Sequence, residues 1–164
     1  MSTEQRLTNQ NAFDIAVLHL LNQGHRCVSA SGKPRHRGSR GKSAIGALIP
    51  DHLYVTSMED KTVHQMLHSS SADYQRVRER LGGVTPSLLS ELQDLHDRMG
   101  ECLPSMFRHL VLAGSSRIAQ MFGLTPRMAN LWMAYQRIPG PQNPRPGTDG
   151  TASRPAGDFK RVAA

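Results

Sequence analysis

Apolar residues recur at helical spacing along most of the chain, and the clearest example lies near its start. Five of them occupy one helix face at i, i+3, i+4, i+7 and i+8: Phe13, Ala16, Val17, Leu20 and Leu21. This spacing predicts an amphipathic helix over residues 9–23. Gly24 is placed to end it, because glycine accepts the left-handed backbone conformation common after a helix C-terminus.

The middle of the chain predicts three more helices. Two short ones are expected over residues 60–68 and 72–81. A longer one starts at Thr85 and Pro86, where a capping hydroxyl precedes a ring whose φ is already close to the helical value. It should end at Gly100, and its apolar stripe consists of Leu88, Leu89, Leu92, Leu95 and Met99.

A further helix is expected over residues 102–113, and the side chains predicted to face inward are Met106, Phe107 and Leu110. A short helix follows it, capped by Ser115 or Ser116. The inner face of this short helix consists of Ile118, Ala119 and Phe122. Gly123 then supplies the positive φ of a sharp turn, and Leu124 fills the corner.

Thr125 and Pro126 start the last predicted helix, from which Ala129 and Trp132 face back towards the preceding one. Alanines at 119 and 129 would let the two helices approach closely. The stretch therefore has the parts of a helix–turn–helix: a short helix, a glycine turn and a capped helix. An ordinary helical hairpin can have the same spacing, so the pattern leaves both interpretations open.

Residues 25–43 interrupt the helical pattern, because they are rich in glycine, serine and basic residues, and they predict a loop or a short twisted hairpin. The next segment, AIGALIP, is expected to form a strand or a buried turn. We therefore expect a mainly α-helical protein with a short β-hairpin or loop element near 27–49 and a C-terminal helix–turn–helix. The expected organisation is a helical N-terminal region over 1–100, a helix–turn–helix over 101–140 and a disordered, proline-rich tail over 141–164.

Positive charge is concentrated along the chain. The net charge is +7, and residues 25–43 contain no acid and six cations, which are Arg26, Lys33, Arg35, Arg37, Arg40 and Lys42. Focused positive charge attracts polyanions and releases their counterions, so nucleic acid is the first partner to consider. A loop that merely improves solubility would have the same charge, and charge alone does not separate the two.

Several classes of protein are disfavoured. The two cysteines, Cys27 and Cys102, lie far apart and form no close-spaced metal pattern, as expected for free thiols in a reducing cytoplasm. No apolar run approaches the roughly 20 residues of a membrane span. The N-terminal sequence lacks the basic and apolar regions of a signal peptide. These features predict a cytoplasmic protein.

Motifs for catalysis are incomplete. The stretch GSRGKS ends like a phosphate-binding P-loop, but His36 stands where the first glycine of that loop is required. His96 and Asp97 are adjacent, and adjacent side chains diverge on a helix, so no orienting hydrogen bond is expected between them. Neither feature predicts an enzyme.

His64 and His68 have the spacing of a zinc-binding pair on a helix. Gln65 stands where a metalloprotease needs its glutamate base, and an amide cannot take a proton. Two solvated histidines on a polar face are the more common case. We therefore predict no catalytic residue, no metal and no cofactor.

From Ile118 to Pro139 the pattern I-A-x-x-x-G-x-T-x-x-x-A-x-x-W-x-x-x-x-x-I-P resembles the helix–turn–helix of phage Cro/CI-type repressors. The resemblance implies double-stranded DNA as the partner and is compatible with a homodimer. The positions it places in the major groove are Pro126, Arg127, Asn130 and Leu131. Those it places near phosphates are Ser116, Arg117 and Arg137, and the basic loop would add Arg35, Arg37, Arg40 and Lys42.

The chain departs from that family at three points. Tyr135 stands where glycine is common, Ala129 is smaller than the usual valine or isoleucine, and a proline-rich tail replaces the helices that complete the domain. The upstream helix over 102–113 would have to serve as the first helix. The resemblance covers about a sixth of the chain.

A second stretch, KSAIGALIPDHLY, is similar to small phage and mobile-element proteins with the motif C-A-I-G-x-L-I-P-D-x-x-Y, although Ser43 stands at the cysteine position. This likeness implies no activity, but mobile elements commonly encode small DNA-binding regulators. We therefore expect a DNA-binding transcriptional regulator of a phage, plasmid or other mobile element. Two alternatives stay open: an accessory protein that binds a host protein, and a metal-dependent hydrolase that uses His64 and His68.

Overall fold

A computed structural model describes residues 5–137, except for the side chains of Asp60 and Arg137. This part of the chain is mainly α-helical, as predicted. Its helices are α1 (Asn9–Gln23), α2 (Ala44–Leu48), α3 (Val63–His68), α4 (Gln75–Leu81), α5 (Pro86–Asp97), α6 (Pro104–Phe122) and α7 (Arg127–Arg137). Its strands are β1 (Arg37–Gly38) and β2 (Gly41–Lys42), which pair antiparallel, and short 3₁₀ helices lie at Asp51–Leu53, Thr56–Asp60 and Ala72–Tyr74. The tail predicted over 141–164 lies outside the described residues.

Helix α1 is the centre of the fold and packs against α2, α5, α6 and α7. Its bounds agree with the prediction. The whole predicted apolar face is buried: Phe13, Ala16, Val17, Leu20 and Leu21. Gly24 ends the helix with φ +71°, as its sequence position indicated. Each large apolar side chain buried here contributes roughly 1.5–3 kcal/mol.

Helix α5 forms the second wall of the core. The predicted apolar residues face the core, but the predicted end at Gly100 is wrong, because the helix ends at Asp97 and Met99 lies beyond it. Leu88, Leu89, Leu92 and Met99 are buried, and Leu95 is partly buried against them. The predicted hydroxyl cap is wrong, because the side chain of Thr85 makes no bond to its own helix. The Thr85 hydroxyl instead accepts a hydrogen bond from Asn9 Nδ2 at 2.9 Å, and the Thr85 N–H donates to Asn9 Oδ1 at 2.8 Å. The start of α5 is therefore fixed to the start of α1.

The segment AIGALIP forms a helix, α2, and not the expected strand or buried turn. The Ser43 hydroxyl caps it by accepting the N–H of Gly46 at 3.0 Å. A Cβ atom on Gly46 would overlap the carbonyl oxygen of His36, so glycine lets α2 lie directly against the hairpin. Periodicity does not distinguish a short buried helix from a buried strand, which explains the error.

Residues 104–122 form one continuous helix of 19 residues, α6, so the prediction of two helices was wrong. Ser115 and Ser116 are not caps. Both hydroxyls donate to the carbonyl oxygen of Leu112, at 2.9 and 3.0 Å, within the same helix. Because serine can satisfy its hydroxyl in this way, it does not have to end a helix.

The inward face of α6 also differs from the prediction. Phe107 is buried as expected, but Met106 is 57% exposed and Leu110 is 42% exposed. The buried side of α6 consists of Phe107, Val111, Ser115, Ile118 and Ala119. The helix therefore leaves part of its apolar surface in solvent.

The basic stretch 25–43 contains an ordered hairpin, and the carboxylate of Glu59 binds the backbone at its start. Glu59 accepts hydrogen bonds from the N–H groups of His36 at 2.9 Å and Arg37 at 2.8 Å. It also accepts from Arg35 Nε at 3.1 Å and from the Tyr54 hydroxyl at 2.5 Å. Burial alone would raise the pKa of Glu59, but these four donors outweigh burial and hold the pKa below its usual 4.5.

We expect Glu59→Gln to lower the free energy of unfolding by about 2–4 kcal/mol, because an amide offers one neutral oxygen to four donors. Tyr54→Phe removes one donor and should cost about 1–2 kcal/mol. Urea denaturation followed by circular dichroism measures both. The matched control is Glu79→Gln on the exposed side of α4, which should stay within about 0.5 kcal/mol of wild type. Equal losses of stability for the two glutamate variants would contradict the role of Glu59 in holding the hairpin.

Acid should weaken the hydrogen bonds by which Glu59 holds the hairpin. The pKa of Glu59 is lowered in the fold, so its ionised form stabilises the protein above pH 4.5, and that contribution is lost as the pH falls further. The stability of Glu59→Gln should therefore fall less steeply than that of wild type between about pH 5 and about pH 3. Thermal denaturation across this range measures how the stability of each protein changes with pH. Parallel changes in the two proteins would refute the stabilising role of ionised Glu59.

Candidate nucleic-acid interface

The segment that resembles a helix–turn–helix begins with a glycine turn at the end of α6. Gly123 has φ +63° and ψ +34°, and its N–H donates to the carbonyl oxygen of Ala119. The N–H of Leu124 donates to the same oxygen at 2.8 Å, and its side chain packs half-buried against the core. The positive φ and the apolar residue in the corner are confirmed.

Helix α1 holds this turn through two side chains that the sequence analysis missed. The Gln10 amide makes two bonds to the backbone of Thr125, donating to its oxygen at 2.9 Å and accepting from its N–H at 3.0 Å. Asp14 Oδ2 accepts from Arg127 Nε and Nη2, both at 2.5 Å, and Asp14 Oδ1 accepts from Gln10 at 3.0 Å. An acid next to Phe13 on a buried helix face was the available signal, because a buried carboxylate needs partners.

The four positions predicted to contact bases lie in different environments. Pro126 is half-buried, and the side chain of Arg127 is 50% exposed but paired with Asp14. Asn130 is exposed, and Leu131 is 61% exposed. The outward face of α7 thus presents Asn130 and Leu131, and Ala129 is buried on the opposite side as predicted.

The predicted phosphate contacts on α6 and α7 are only partly available. Ser116 is exposed, but its hydroxyl is bonded to the backbone of its own helix. Arg117 pairs with Glu91 of α5, with 2.6 Å between Nη2 and Oε2. The side chain of Arg137 lies outside the described part of the structure.

The predicted phosphate contacts of the basic loop are mostly neutralised by acids distant in sequence. Arg35 pairs with Glu59 at 3.1 Å. Arg37 and Lys42 both contact Asp51 Oδ1, at 2.5 and 2.7 Å, and their hydrogen bonds hold the pKa of Asp51 below its usual value. Arg40 is exposed and forms no ion pair with another described residue. The loop therefore has less free positive charge than its composition indicates.

The C-terminal end of α1 borders both the hairpin and the second half of α7. The Gln23 amide accepts the N–H of Lys42 at 2.9 Å and donates to its carbonyl oxygen at 3.0 Å. Two residues earlier, Leu21 lines a groove together with Trp132 and Gln136 of α7. The second strand of the hairpin and the second half of α7 therefore both border the last turn of α1.

His96 and Asp97 form the hydrogen bond that the sequence analysis excluded, with 2.8 Å between Nδ1 and Oδ1. Asp97 is the last residue of α5, where its side chain can turn back towards its neighbour. Nε2 of the buried His96 accepts the N–H of Cys27 at 2.8 Å, so the ring has its proton on Nδ1. Both ring nitrogens are occupied, which gives this pair a structural role. Burial, with a smaller effect of nearby Glu59, raises the pKa of Cys27 to about 11, so its thiol is not reactive.

The imidazole rings of His64 and His68 are stacked, with their centres 4.0 Å apart. His68 Nδ1 lies 2.9 Å from the carbonyl oxygen of His64. Within residues 5–137, no group of three or more histidine, cysteine, aspartate or glutamate side chains could hold a metal ion. In the same part of the chain, no helix combines the length and the apolar character that crossing a membrane requires.

Comparisons with protein-family models, with curated proteins and with solved structures find no match to this chain. The functional interpretation therefore rests on the geometry of the site. That geometry combines a glycine turn beside the first half of α1, the exposed face of α7 and a basic hairpin at the C-terminal end of α1.

Arg127→Ala should lower the free energy of unfolding by about 1–3 kcal/mol, because it leaves Asp14 buried without its charged donor. Asp14→Asn should cost a similar amount, and the double variant should cost less than the sum by about 1 kcal/mol or more. Urea denaturation of the four proteins measures this coupling. Arg76→Ala, on the exposed side of α4, is the control and should stay within about 0.5 kcal/mol of wild type. Strictly additive costs would show that the pair does not hold α7.

Proposed function

We propose that this protein is a DNA-binding regulator of a phage, plasmid or other mobile element and that α7 contacts duplex DNA. The observation that supports this most is the exposed face of α7, which directly follows a left-handed glycine turn. This face offers the amide of Asn130 and the apolar side chains of Leu131 and Tyr135. Amides and apolar groups on a helix are the means by which proteins read base edges in the major groove.

Each exposed position has a role that fits its chemistry. The Asn130 amide can make two hydrogen bonds to one adenine, and Leu131 can contact a thymine methyl group. Pro126 flanks them at the start of the helix. Arg127 uses Nε and Nη2 for Asp14, which leaves Nη1 for a phosphate or a guanine.

The hairpin contributes phosphate contacts beside α7. Arg40 has an uncompensated charge, and Arg37 and Lys42 share the single carboxylate of Asp51, which leaves a further positive charge there. Arg117 can leave Glu91 for a phosphate at low cost, since exposed ion pairs contribute only about 0–1 kcal/mol. Arg35 pairs with Glu59 and is not assigned a phosphate contact.

Asn130→Ala should lower specific affinity for duplex DNA by about 1–3 kcal/mol and relax the preference for one adenine, without loss of stability. Selection of bound fragments from random duplexes by wild type supplies the target. Leu131→Ala should weaken binding to the same target. Its matched control is Leu18→Ala, an exposed leucine on α1 that should bind as wild type does. If both α7 variants bind with unchanged affinity and unchanged base preference, α7 does not read bases.

Binding should also weaken steeply with salt, because phosphate contacts release counterions. Arg40→Ala and Lys42→Ala should each reduce the slope of log affinity against log salt by about 1. Arg76→Ala, on α4, should leave the slope unchanged. A wild-type slope near zero would exclude nucleic acid as the partner.

A second candidate function, binding of another protein, is favoured by exposed apolar side chains on α6. Leu103, Met106 and Leu110 follow i, i+3, i+7 spacing and are all exposed, which is typical of a contact surface. Asp94 of α5 and the adjacent Arg98 border a groove beside this strip and pair with each other at 2.6 Å. We infer a second copy of this chain as the occupant, because an exposed pair of this kind can exchange partners across a two-fold axis at low cost.

Light scattering of wild type and Met106→Glu tests this second candidate. A dimer that the variant converts to a monomer supports it. A monomer in both cases refutes self-association and leaves the strip for a host protein.

A further inference from the structure

A groove of about 620 Å³ lies between the end of α1, the first half of α6 and the second half of α7. This volume is within the range of sites that bind small molecules. Its polar lining consists of Asn22, Ser105, Arg108, His109, Trp132 and Gln136, above two leucines. The exposed face of α7 with Asn130 and Leu131 is not part of it.

The composition of this groove points to an anion with an aromatic ring. Among the described residues that line it none is acidic, whereas a guanidinium, an imidazole, a hydroxyl and two amides are present. Charged donors of this kind favour phosphate or carboxylate. The half-buried indole of Trp132 offers a flat apolar surface, on which a base can stack.

Arg108 places an uncompensated positive charge in the groove. Its Nε donates to the carbonyl oxygen of Leu21 at 2.9 Å, which fixes the guanidinium at the end of α1. The guanidinium lies over Gly24, where a Cβ atom would come within 2.6 Å of Nη2, so glycine makes room for it. No carboxylate among the described residues pairs with Arg108, so the two Nη groups can bind an anion.

We propose that this groove binds a nucleotide. The base stacks on Trp132, the phosphate lies against Arg108 and His109, and the amide of Gln136 contacts the polar edge of the base. The nucleotide comes either from the free pool or from an unpaired position in a DNA strand, because both present the same base and phosphate. The proposal does not depend on duplex binding by α7.

Trp132 is the only tryptophan of the chain, so its fluorescence reports directly on the groove. Titration of the full-length protein with adenosine 5′-monophosphate should give saturable quenching. Adenosine lacks the phosphate and ribose 5-phosphate lacks the base, so each should bind about tenfold more weakly or worse. Absence of saturable quenching, or equal binding of adenosine and the nucleotide, would overturn the proposal.

A matched pair of variants separates the groove from the rest of the protein. Ser105 and Ser87 are both exposed and both directly follow the proline that begins a helix. A glutamate at either position interacts equally well with a helix N-terminus, so both variants should fold. Ser105→Glu puts an acid into the groove and should weaken nucleotide binding about tenfold, whereas Ser87→Glu should bind as wild type does. Equal binding by the two variants would refute the site.

Competition identifies the source of the nucleotide. If a short single-stranded oligonucleotide displaces the mononucleotide, the groove accepts unpaired positions of a strand. If it does not, the groove is specific for the free nucleotide, and either result supports the proposal. Quenching by duplex DNA alone would overturn it and assign the groove to the duplex interface.

Discussion

The burial of α1 is the constraint on which the rest of this structure depends. Its apolar face meets four other helices, α2, α5, α6 and α7. The polar residues near its two ends then fix the surface features. Gln10 and Asp14 hold the turn before α7, whereas Gln23 holds the second strand of the hairpin. A loss of packing in α1 would therefore release the glycine turn and the basic hairpin together.

The buried carboxylate of Asp14 needs hydrogen-bond donors in place of the water it has lost. A carboxylate removed from water loses several kcal/mol of hydration unless donors replace it. Arg127 and Gln10 supply those donors, so the position of α7 is required by charge as well as by apolar contact. This pairing bears on the proposed function, because Arg127 stands at a position that resembles a base-contacting arginine and is already bonded to Asp14. The proposed readout by α7 therefore rests mainly on Asn130 and Leu131.

The sequence predicted the elements whose signals are local. The stripes of α1 and α5 repeat over several turns, and Gly123 marks its turn by a backbone conformation that glycine adopts easily. The sequence did not predict α2 or the continuity of α6. Five apolar residues are too few to show a period, and the serines at 115 and 116 satisfy their hydroxyls inside a helix as well as at its start.

The candidate site was harder to predict because charge compensation is not local. Glu59 and Asp51 lie beyond the basic stretch that they neutralise, and Glu91 lies 26 residues before Arg117. Composition counts all these cations as available, whereas within residues 5–137 the fold pairs most of them with acids and leaves Arg40 and Arg108 without a carboxylate.

Arg108 contacts the C-terminal end of α1, and the chain next to Arg40 passes the same end. Arg108 lies over Gly24, and Arg40 precedes Gly41, whose backbone lies against Gln23. The carbonyl groups that end a helix have a partial negative charge, which attracts cations to this point without neutralising them fully. Arg108 therefore keeps positive charge available to an anion in the proposed groove at this end of α1.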